Sequence, residues 1–232
     1  MRDCCYHLVR ILSRSVLWPF IRLHIWQAPG AVEPLNAAVV VANHISHFDP
    51  VLLASAFRRA IYWMTTKEFY SNPLLGALLR VLNTIPIDRS RPDHRALRLG
   101  VERLRAGRLI GVFPEGGIRA GPTSILGGAA PKSGAGALAR IAHAPIIPCV
   151  VFGSDRLYAP ESWRPRLSRT KIWIAIGAPF SVSDASGSEA NARLAEALRQ
   201  LGTATVAQFS LQPDDLPATP QRRKGIDAQS PD

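Results

Sequence analysis

Short apolar runs rich in β-branched residues alternate along this chain with segments of helical periodicity. Residues 37–43 read Ala-Ala-Val-Val-Val-Ala-Asn, without polar alternation, which is typical of a strand buried on both faces. Five further runs are expected to form strands at 61–65, 84–88, 109–113, 146–152 and 171–177. Strands that alternate with helices indicate a largely parallel sheet covered on both sides. We therefore predict an α/β fold, with a largely parallel or mixed central sheet flanked by helices and preceded by an amphipathic N-terminal helix.

The remaining segments are divided between helices and two flanking regions. Helices are expected at 50–59, 73–82, 94–107 and 133–143, with a last one marked by Leu194, Leu198 and Leu201. A length of 232 residues suits one substantial domain with appendages. We place that domain at 35–209, an amphipathic segment at 1–34 and a disordered polar tail at 210–232.

The N-terminal segment has an amphipathic pattern when its first 26 residues are drawn on a helical wheel, and Pro19 predicts a kink or break in it. The uncharged stretch Ser15–Ile21 is much too short to span a bilayer. The segment also lacks the uninterrupted apolar core of a signal peptide. Two interpretations stay open: a helix docked on its own domain, or an interfacial membrane anchor with Trp18 and Trp26 at the surface.

Charge and cysteine content narrow the classes of partner. The net charge is +11, and the excess lies between residues 37 and 180, since the chain after residue 180 has more acids than bases. A basic domain indicates anionic partners, such as nucleic acid, an anionic membrane or a phosphorylated substrate. Aromatic and basic residues are not interleaved on any one element, so we expect no nucleic-acid partner.

The three cysteines form no disulfide framework and favour a reducing compartment, with Cys149 as a core residue.

The segment after the first predicted strand carries the strongest candidates for chemistry. Functional residues of parallel sheets collect beyond the carboxyl ends of the strands, and His44 and Asp49 lie there, five residues apart. A carboxylate that reaches an imidazole makes a general base. Asp49 followed by Pro50 also matches a helix N-cap with proline at the first position. We expect Asp49 to cap this helix while it orients His44.

A metal site is the alternative interpretation of the same segment, with His44, His47 and Asp49 as ligands. There is no His-Glu-x-x-His pattern, and the other histidines lack a ligand-like context. We therefore expect no metal, and we expect His47 to be a packed or solvent-facing spectator.

Two further segments at strand ends carry positive charge or free backbone amides. Arg89 follows the strand at 84–88, where a lone arginine is ordinarily a surface charge. The Pro-Glu-Gly-Gly turn after the strand at 109–113 exposes amides that can face an anion near Arg119. Lys132 precedes a glycine-rich helix N-terminus and is a candidate phosphate contact.

Four of these segments, in this order, resemble the motifs of the glycerolipid acyltransferase family, which includes the 1-acylglycerol-3-phosphate acyltransferases. They are NHISHFD (43–49), NTIPIDR (83–89), FPEGGIR (113–119) and APIIP (144–148). The segments PKSGAGALA and IAIGAPF are also similar to family segments, and the resemblance covers roughly residues 35–180. There are departures, because Asn83 replaces a glycine, and Gly117 and Ile118 displace Arg119 by one residue from its usual place.

The resemblance implies a reaction and a set of site residues. In that family the motif histidine is the general base and the aspartate its partner, which are the roles of His44 and Asp49 here. The resemblance implies that the acceptor phosphate is bound by a second group of residues, namely Arg89, Glu115, Gly116, Arg119 and Lys132. The reaction implied is transfer of an acyl group from a thioester of coenzyme A or acyl carrier protein to lysophosphatidate, giving phosphatidate.

The resemblance also implies partners and a location. We expect no cofactor beyond the acyl thioester, and we expect as partners a lysophospholipid acceptor, a membrane surface and acyl carrier protein. The location implied is the cytoplasmic face of a membrane, which favours the interfacial interpretation of the N-terminal segment. Two alternatives stay open: an acceptor of another lyso-lipid class, such as a lyso-aminolipid, and a thioester or lipid hydrolase. The hydrolase lacks support because the chain has no Gly-x-Ser-x-Gly elbow.

Overall fold

A computed structural model describes residues 2–163 and 169–225. Seven strands form its sheet: β1 (Ile21–Gln27), β2 (Ala38–Ala42), β3 (Ile61–Thr66), β4 (Ile85–Ile87), β5 (Leu109–Val112), β6 (Ile146–Phe152) and β7 (Thr170–Ile176). The longer helices are α1 (Arg2–Leu17), α2 (Asp49–Ala56), α3 (Pro73–Val81), α4 (His94–Arg105), α5 (Gly134–Ala142) and α6 (Gly187–Phe209). The predicted fold class is confirmed, and all six predicted strands are present.

Strand β2 lies in the middle of the sheet, whose order is β1-β7-β6-β2-β5-β3-β4. Neighbouring strands are parallel, except that β6 and β7 are antiparallel. Val39 and Val41 pack into the core on one face of the sheet, and Ala38 and Val40 pack into the core on the other. Because helices cover both faces, every residue of β2 is buried. This confirms the expectation that an apolar run without polar alternation forms a strand buried on both faces.

The amphipathic N-terminal helix is confirmed only as far as Leu17, and the segment after it is a strand. Residues Ile21–Gln27 pair in parallel with β7 along their whole length. The helix ends here because Pro19 lacks an N–H and restricts the preceding backbone. Ile21 and Ile25 are four residues apart, and this spacing fits one face of a helix and one face of a strand equally well. The domain therefore begins well before residue 35.

The expectation of a disordered tail is wrong for residues 210–225, and residues 226–232 lie outside the described part of the chain. Leu211 is buried, and the chain then returns to a 3-10 turn that follows β6. There, Asp155 Oδ2 accepts hydrogen bonds from Ala218 N at 3.0 Å and from Arg223 Nε at 2.6 Å. Asp155 is fully buried, and a buried carboxylate needs such partners to offset the loss of hydration. Polar composition alone predicts disorder and does not reveal this anchoring residue.

The sheet topology determines which segments can form a site. Strands β2, β5, β3 and β4 lie side by side and run in the same direction. The segments after β2, β4 and β5 therefore leave the sheet at one edge, which is where ligands bind in open α/β sheets. The three groups of candidates named from the sequence all follow these strands.

Candidate active site

The loop after β2 is fixed first by Asn43, which continues the pairing of β2 with β6 through its side chain. Asn43 Nδ2 donates to the carbonyl of Val151 at 2.9 Å, and Val151 N donates to Asn43 Oδ1 at 2.8 Å. The side chain is fully buried. An amide side chain can make this reciprocal pair because it has both a donor and an acceptor. The backbone is thereby held at the point where it turns toward His44.

Asp49 and His44 form the pair expected from the sequence. The Nδ1 atom of His44 lies 2.9 Å from Asp49 Oδ2. The same oxygen accepts the backbone N–H groups of Ile45 and Ser46, both at 2.8 Å. Asp49 is fully buried, whereas the His44 side chain keeps 12% of its surface exposed. This arrangement suits a base, since the carboxylate fixes the tautomer in which Nε2 can take a proton.

The expected cap is wrong in one respect. Asp49 is the first residue of α2, Phe48 precedes it in the cap position, and no side chain caps this helix end. The Asp49 carboxylate instead turns back and binds the amides of the preceding loop. Pro50 is the second residue of α2 rather than the first, and it still lies in the first turn, where its missing N–H costs nothing.

A stack of three rings supports the imidazole from one side. The ring of His44 stacks on Phe113 with centroids 4.1 Å apart, and Phe113 stacks on Trp63 with centroids 4.6 Å apart. Both pairs are nearly parallel, with interplanar angles of 16° and 7°. Flat contacts of this kind restrict rotation of the imidazole, so its orientation is set by packing as well as by Asp49. Sequence reasoning missed Trp63, for which the only signal is its place in a predicted strand.

Glu115 connects the turn after β5 to the loop of His44. Its Oε2 atom accepts the backbone N–H of His44 at 2.7 Å, and its Oε1 atom accepts that of Ile125 at 2.8 Å. The side chain is buried. Burial raises the pKa of Glu115 to about 7, and the hydrogen bonds from Ile125 and His44 oppose that rise. These contacts give Glu115 a positioning role, and its direct contact with a substrate phosphate stays a prediction.

The other predicted anion-binding residues of this turn lie around Glu115. Gly116 has a φ of +68°, and a Cβ there would lie 2.6 Å from Nζ of Lys132. The absence of a side chain therefore lets the ammonium group of Lys132 lie directly over the turn. Lys132 N donates to Pro114 O at 2.8 Å, and Arg119 N donates to the carbonyl of His44 at 2.8 Å. Both basic side chains are exposed, so both remain available to an anion.

A cleft of about 530 Å³ opens beside His44, and its walls are largely apolar. Arg89 and Gly117 line this cleft together with His44. The structure thus brings the predicted base and the second-motif arginine to one cavity. The apolar lining includes Trp63, Met64, Phe69, Leu75, Leu78, Leu79, Leu82 and Phe113.

His47 lies at this cleft and is exposed, which is the solvent-facing one of the two alternatives expected for it. Its Nδ1 atom is 2.5 Å from the hydroxyl of Tyr158, a contact that the sequence did not suggest. Burial and the neighbouring His44 lower the pKa of His47, which favours its neutral form. Within residues 2–163 and 169–225, no three His, Cys, Asp or Glu side chains are grouped as a metal would require.

Comparisons with known proteins agree on one family. The family model described as Acyltransferase matches residues 28–152. The 1-acyl-sn-glycerol-3-phosphate acyltransferase of Bacillus subtilis (strain 168) is 26% identical over 172 residues, which cover 72% of this chain and 80% of that protein. The protein of the same name from Streptococcus pneumoniae is 27% identical over 148 residues, which cover 63% of this chain and 51% of the relative.

A solved structure shares the fold. It is the crystal structure of the 1-acyl-sn-glycerophosphate (LPA) acyltransferase PlsC from Thermotoga maritima. The superposition has a TM-score of 0.66 and covers 91% of this chain and 82% of that one, with 20% sequence identity. At this level of identity the similarity establishes the fold of the chain.

Replacing Glu115 by Gln should remove a pH dependence of stability. The folded protein keeps the proton on Glu115 up to about pH 7, whereas the unfolded chain releases it near 4.5. Between these values the folded state binds more protons, so its stability falls as the pH rises. From pH 5 to pH 8 the unfolding free energy of the wild type should fall by about 2 kcal/mol more than that of Glu115→Gln. Unfolding free energies from urea titrations at the two pH values measure this difference.

The matched control is Glu161→Gln, because Glu161 is exposed. This variant should keep the pH dependence of the wild type. Equal losses of stability in the wild type and in Glu115→Gln would contradict the raised pKa.

Proposed function

The chain belongs to the acyltransferase family, and from that premise we propose that it moves a fatty acyl group from an acyl thioester to the free hydroxyl of lysophosphatidate, giving phosphatidate. The observation that carries the proposal is the buried Asp49 against Nδ1 of His44, at the wall of an apolar cleft that Arg89 also lines. The base of the cleft suits a hydroxyl, its cation suits a phosphate, and its apolar wall suits an acyl chain.

The proposed reaction is direct transfer without a covalent enzyme intermediate. His44 Nε2 takes the proton of the acceptor hydroxyl as its oxygen attacks the thioester carbonyl carbon. The tetrahedral intermediate collapses, the carbon–sulfur bond breaks, and His44 returns the proton to the leaving thiolate. Asp49 stabilises the imidazolium that exists between these two proton transfers. Coenzyme A and acyl carrier protein are the two carriers that we propose for the donor.

The acceptor phosphate is proposed to bind the basic groups around the base. Arg89 lines the cleft beside His44. Arg119 follows the turn that contacts the His44 loop, and the side chain of Lys132 lies over this turn. Guanidinium and ammonium groups bind phosphate oxygens through charge-assisted hydrogen bonds. We propose that Arg89 makes the main contact, since it is the one of the three that lines the cleft.

The substrates are lipids, and we propose that the protein binds to the cytoplasmic face of a membrane through α1 and α3. No helix of the described residues is long and apolar enough to cross a bilayer. Large apolar side chains of these two helices are nevertheless exposed, namely Ile11, Leu12, Val16, Leu74, Leu75, Leu78 and Val81. The two helices contact each other, and residues of both line the cleft. Such a surface suits the interface between lipid headgroups and acyl chains.

Replacing His44 by Ala should reduce the rate of acyl transfer by a factor of about 10² to 10⁴, the usual contribution of a general base. The fold should persist, since Asp49 keeps three of its four donors, from Ile45, Ser46 and Ser154. A transfer assay with labelled acyl-CoA and lysophosphatidate measures the effect, with the release of free fatty acid followed in parallel. His94→Ala, at the exposed start of α4, is the control and should retain activity. Near-normal transfer by His44→Ala would refute the mechanism.

Replacing Arg89 by Ala should raise the KM for lysophosphatidate by about 10- to 100-fold, the range of a hydrogen bond to a charged group. The KM for the acyl donor should stay close to that of the wild type. Arg91→Ala is a matched control, because the Arg91 side chain is 80% exposed and does not line the cleft. An unchanged KM for lysophosphatidate in Arg89→Ala would exclude Arg89 as the phosphate contact, and it would favour an acceptor of another lyso-lipid class.

Replacing Leu74 by Gln should weaken binding to anionic liposomes about tenfold or more. Leu74 is 83% exposed on α3, and transfer of a leucine side chain from water to an apolar phase contributes about 1.5–3 kcal/mol. Flotation of the full chain with phosphatidylglycerol-containing vesicles measures the bound fraction. Leu35→Gln is the control, because Leu35 is 93% exposed but precedes β2, at the opposite edge of the sheet. Equal flotation of the two variants would contradict the proposed membrane face.

A further inference from the structure

The second oxygen of the Asp49 carboxylate binds a residue far away in the chain. Oδ2 is occupied by His44 and two backbone amides, whereas Oδ1 accepts the hydroxyl hydrogen of Ser154 at 2.5 Å. Ser154 and Asp49 are both fully buried. A buried carboxylate oxygen without a donor would cost free energy, so this hydroxyl helps to stabilise the buried carboxylate next to the imidazole.

The hydroxyl is held in place from two sides. Ser154 follows Gly153, whose φ of +83° turns the chain sharply at the end of β6. A Cβ at Gly153 would lie 2.5 Å from the carbonyl oxygen of Lys171, so this turn packs tightly against β7. On the other side, the neighbouring Asp155 is bound by the C-terminal residues Ala218 and Arg223. Ser154 therefore has little freedom to move away from Asp49.

We propose that Ser154 is a positioning residue of the reaction, which acts on His44 through Asp49. The inference rests on the proposed function and extends it, because it adds a hydroxyl to the carboxylate and imidazole of the base. With Oδ1 bound to Ser154, the carboxylate cannot rotate, and Oδ2 stays directed at Nδ1 of His44. Ser154 does not contact substrate in this role, and its nearest functional partner is Asp49.

The hydroxyl also moderates the charge that His44 experiences. A hydrogen bond to Oδ1 withdraws part of the negative charge, so its removal leaves a carboxylate that stabilises the imidazolium more strongly. The pH at which activity is lost in acid should then rise. The other titratable side chains close to the pair are His47 on the same loop, Glu115 on the turn after β5 and Tyr158 on the turn after β6. The Ser154→Ala variant keeps all three of these residues.

The experiment compares the pH profiles of kcat and kcat/KM for the wild type and Ser154→Ala. We expect kcat to fall by about 10- to 100-fold, the range of a hydrogen bond to a charged group, with both KM values near those of the wild type. We also expect the acid limb of the kcat/KM profile to shift to higher pH by about one unit. A merely structural loss would lower the amount of active enzyme without moving this limb.

The control is Thr205→Val, which removes a buried hydroxyl that donates to Leu201 O at 2.6 Å within α6. Its kcat and acid limb should match those of the wild type. An unmoved acid limb in Ser154→Ala, or an equal change in Thr205→Val, would overturn the role of Ser154. Failure of the proposed function is distinguishable from both results, since the wild type itself would then transfer no acyl group to lysophosphatidate.

Discussion

The arrangement of the site depends on one buried charge, the carboxylate of Asp49. A bare carboxylate in this environment would be strongly destabilising or would become protonated. Here four donors surround it: the backbone amides of Ile45 and Ser46, the imidazole of His44 and the hydroxyl of Ser154. Satisfying these four bonds requires the loop after β2, the start of α2 and the end of β6 to meet. The same bonds that hold these elements together therefore orient the base.

The parallel sheet adds the substrate-binding groups to this base. Strand β5 is the neighbour of β2, so the turn after β5 lies against the His44 loop, and Glu115 joins the two through backbone amides on both sides. The cost of burying Glu115 is visible in its raised pKa. The turn thus positions Lys132 and Arg119 near the base, while Arg89 reaches the cleft from the strand at the sheet edge.

The sequence predicts the six strands β2 to β7 and the pairing of His44 with Asp49, because both depend on local composition and on the rule for strand ends. It does not predict β1, since apolar residues four apart satisfy a helix and a strand equally. The direction of the Asp49 side chain is also missed, because an Asp-Pro pair looks the same whether the carboxylate binds the helix or the loop before it. Ser154 is 105 residues away from Asp49, and no local pattern marks a single serine after a strand. Contacts of this kind follow from the order of strands in the sheet, which periodicity does not specify.

We propose that Asp49 holds His44 with its proton on Nδ1, which leaves Nε2 free to take the proton of the acceptor. Two-bond ¹H–¹⁵N correlation spectra of the histidine rings, recorded on the folded full chain at a pH where the imidazole is neutral, distinguish the two tautomers directly. The His44 signals are assigned with a His44→Gln variant. We expect a protonated Nδ1 and an unprotonated Nε2 in the wild type, and a change of this pattern in Asp49→Ala, which leaves Nδ1 without its acceptor. A wild-type ring that carries its proton on Nε2, or a pattern that Asp49→Ala leaves unchanged, would contradict this role of Asp49.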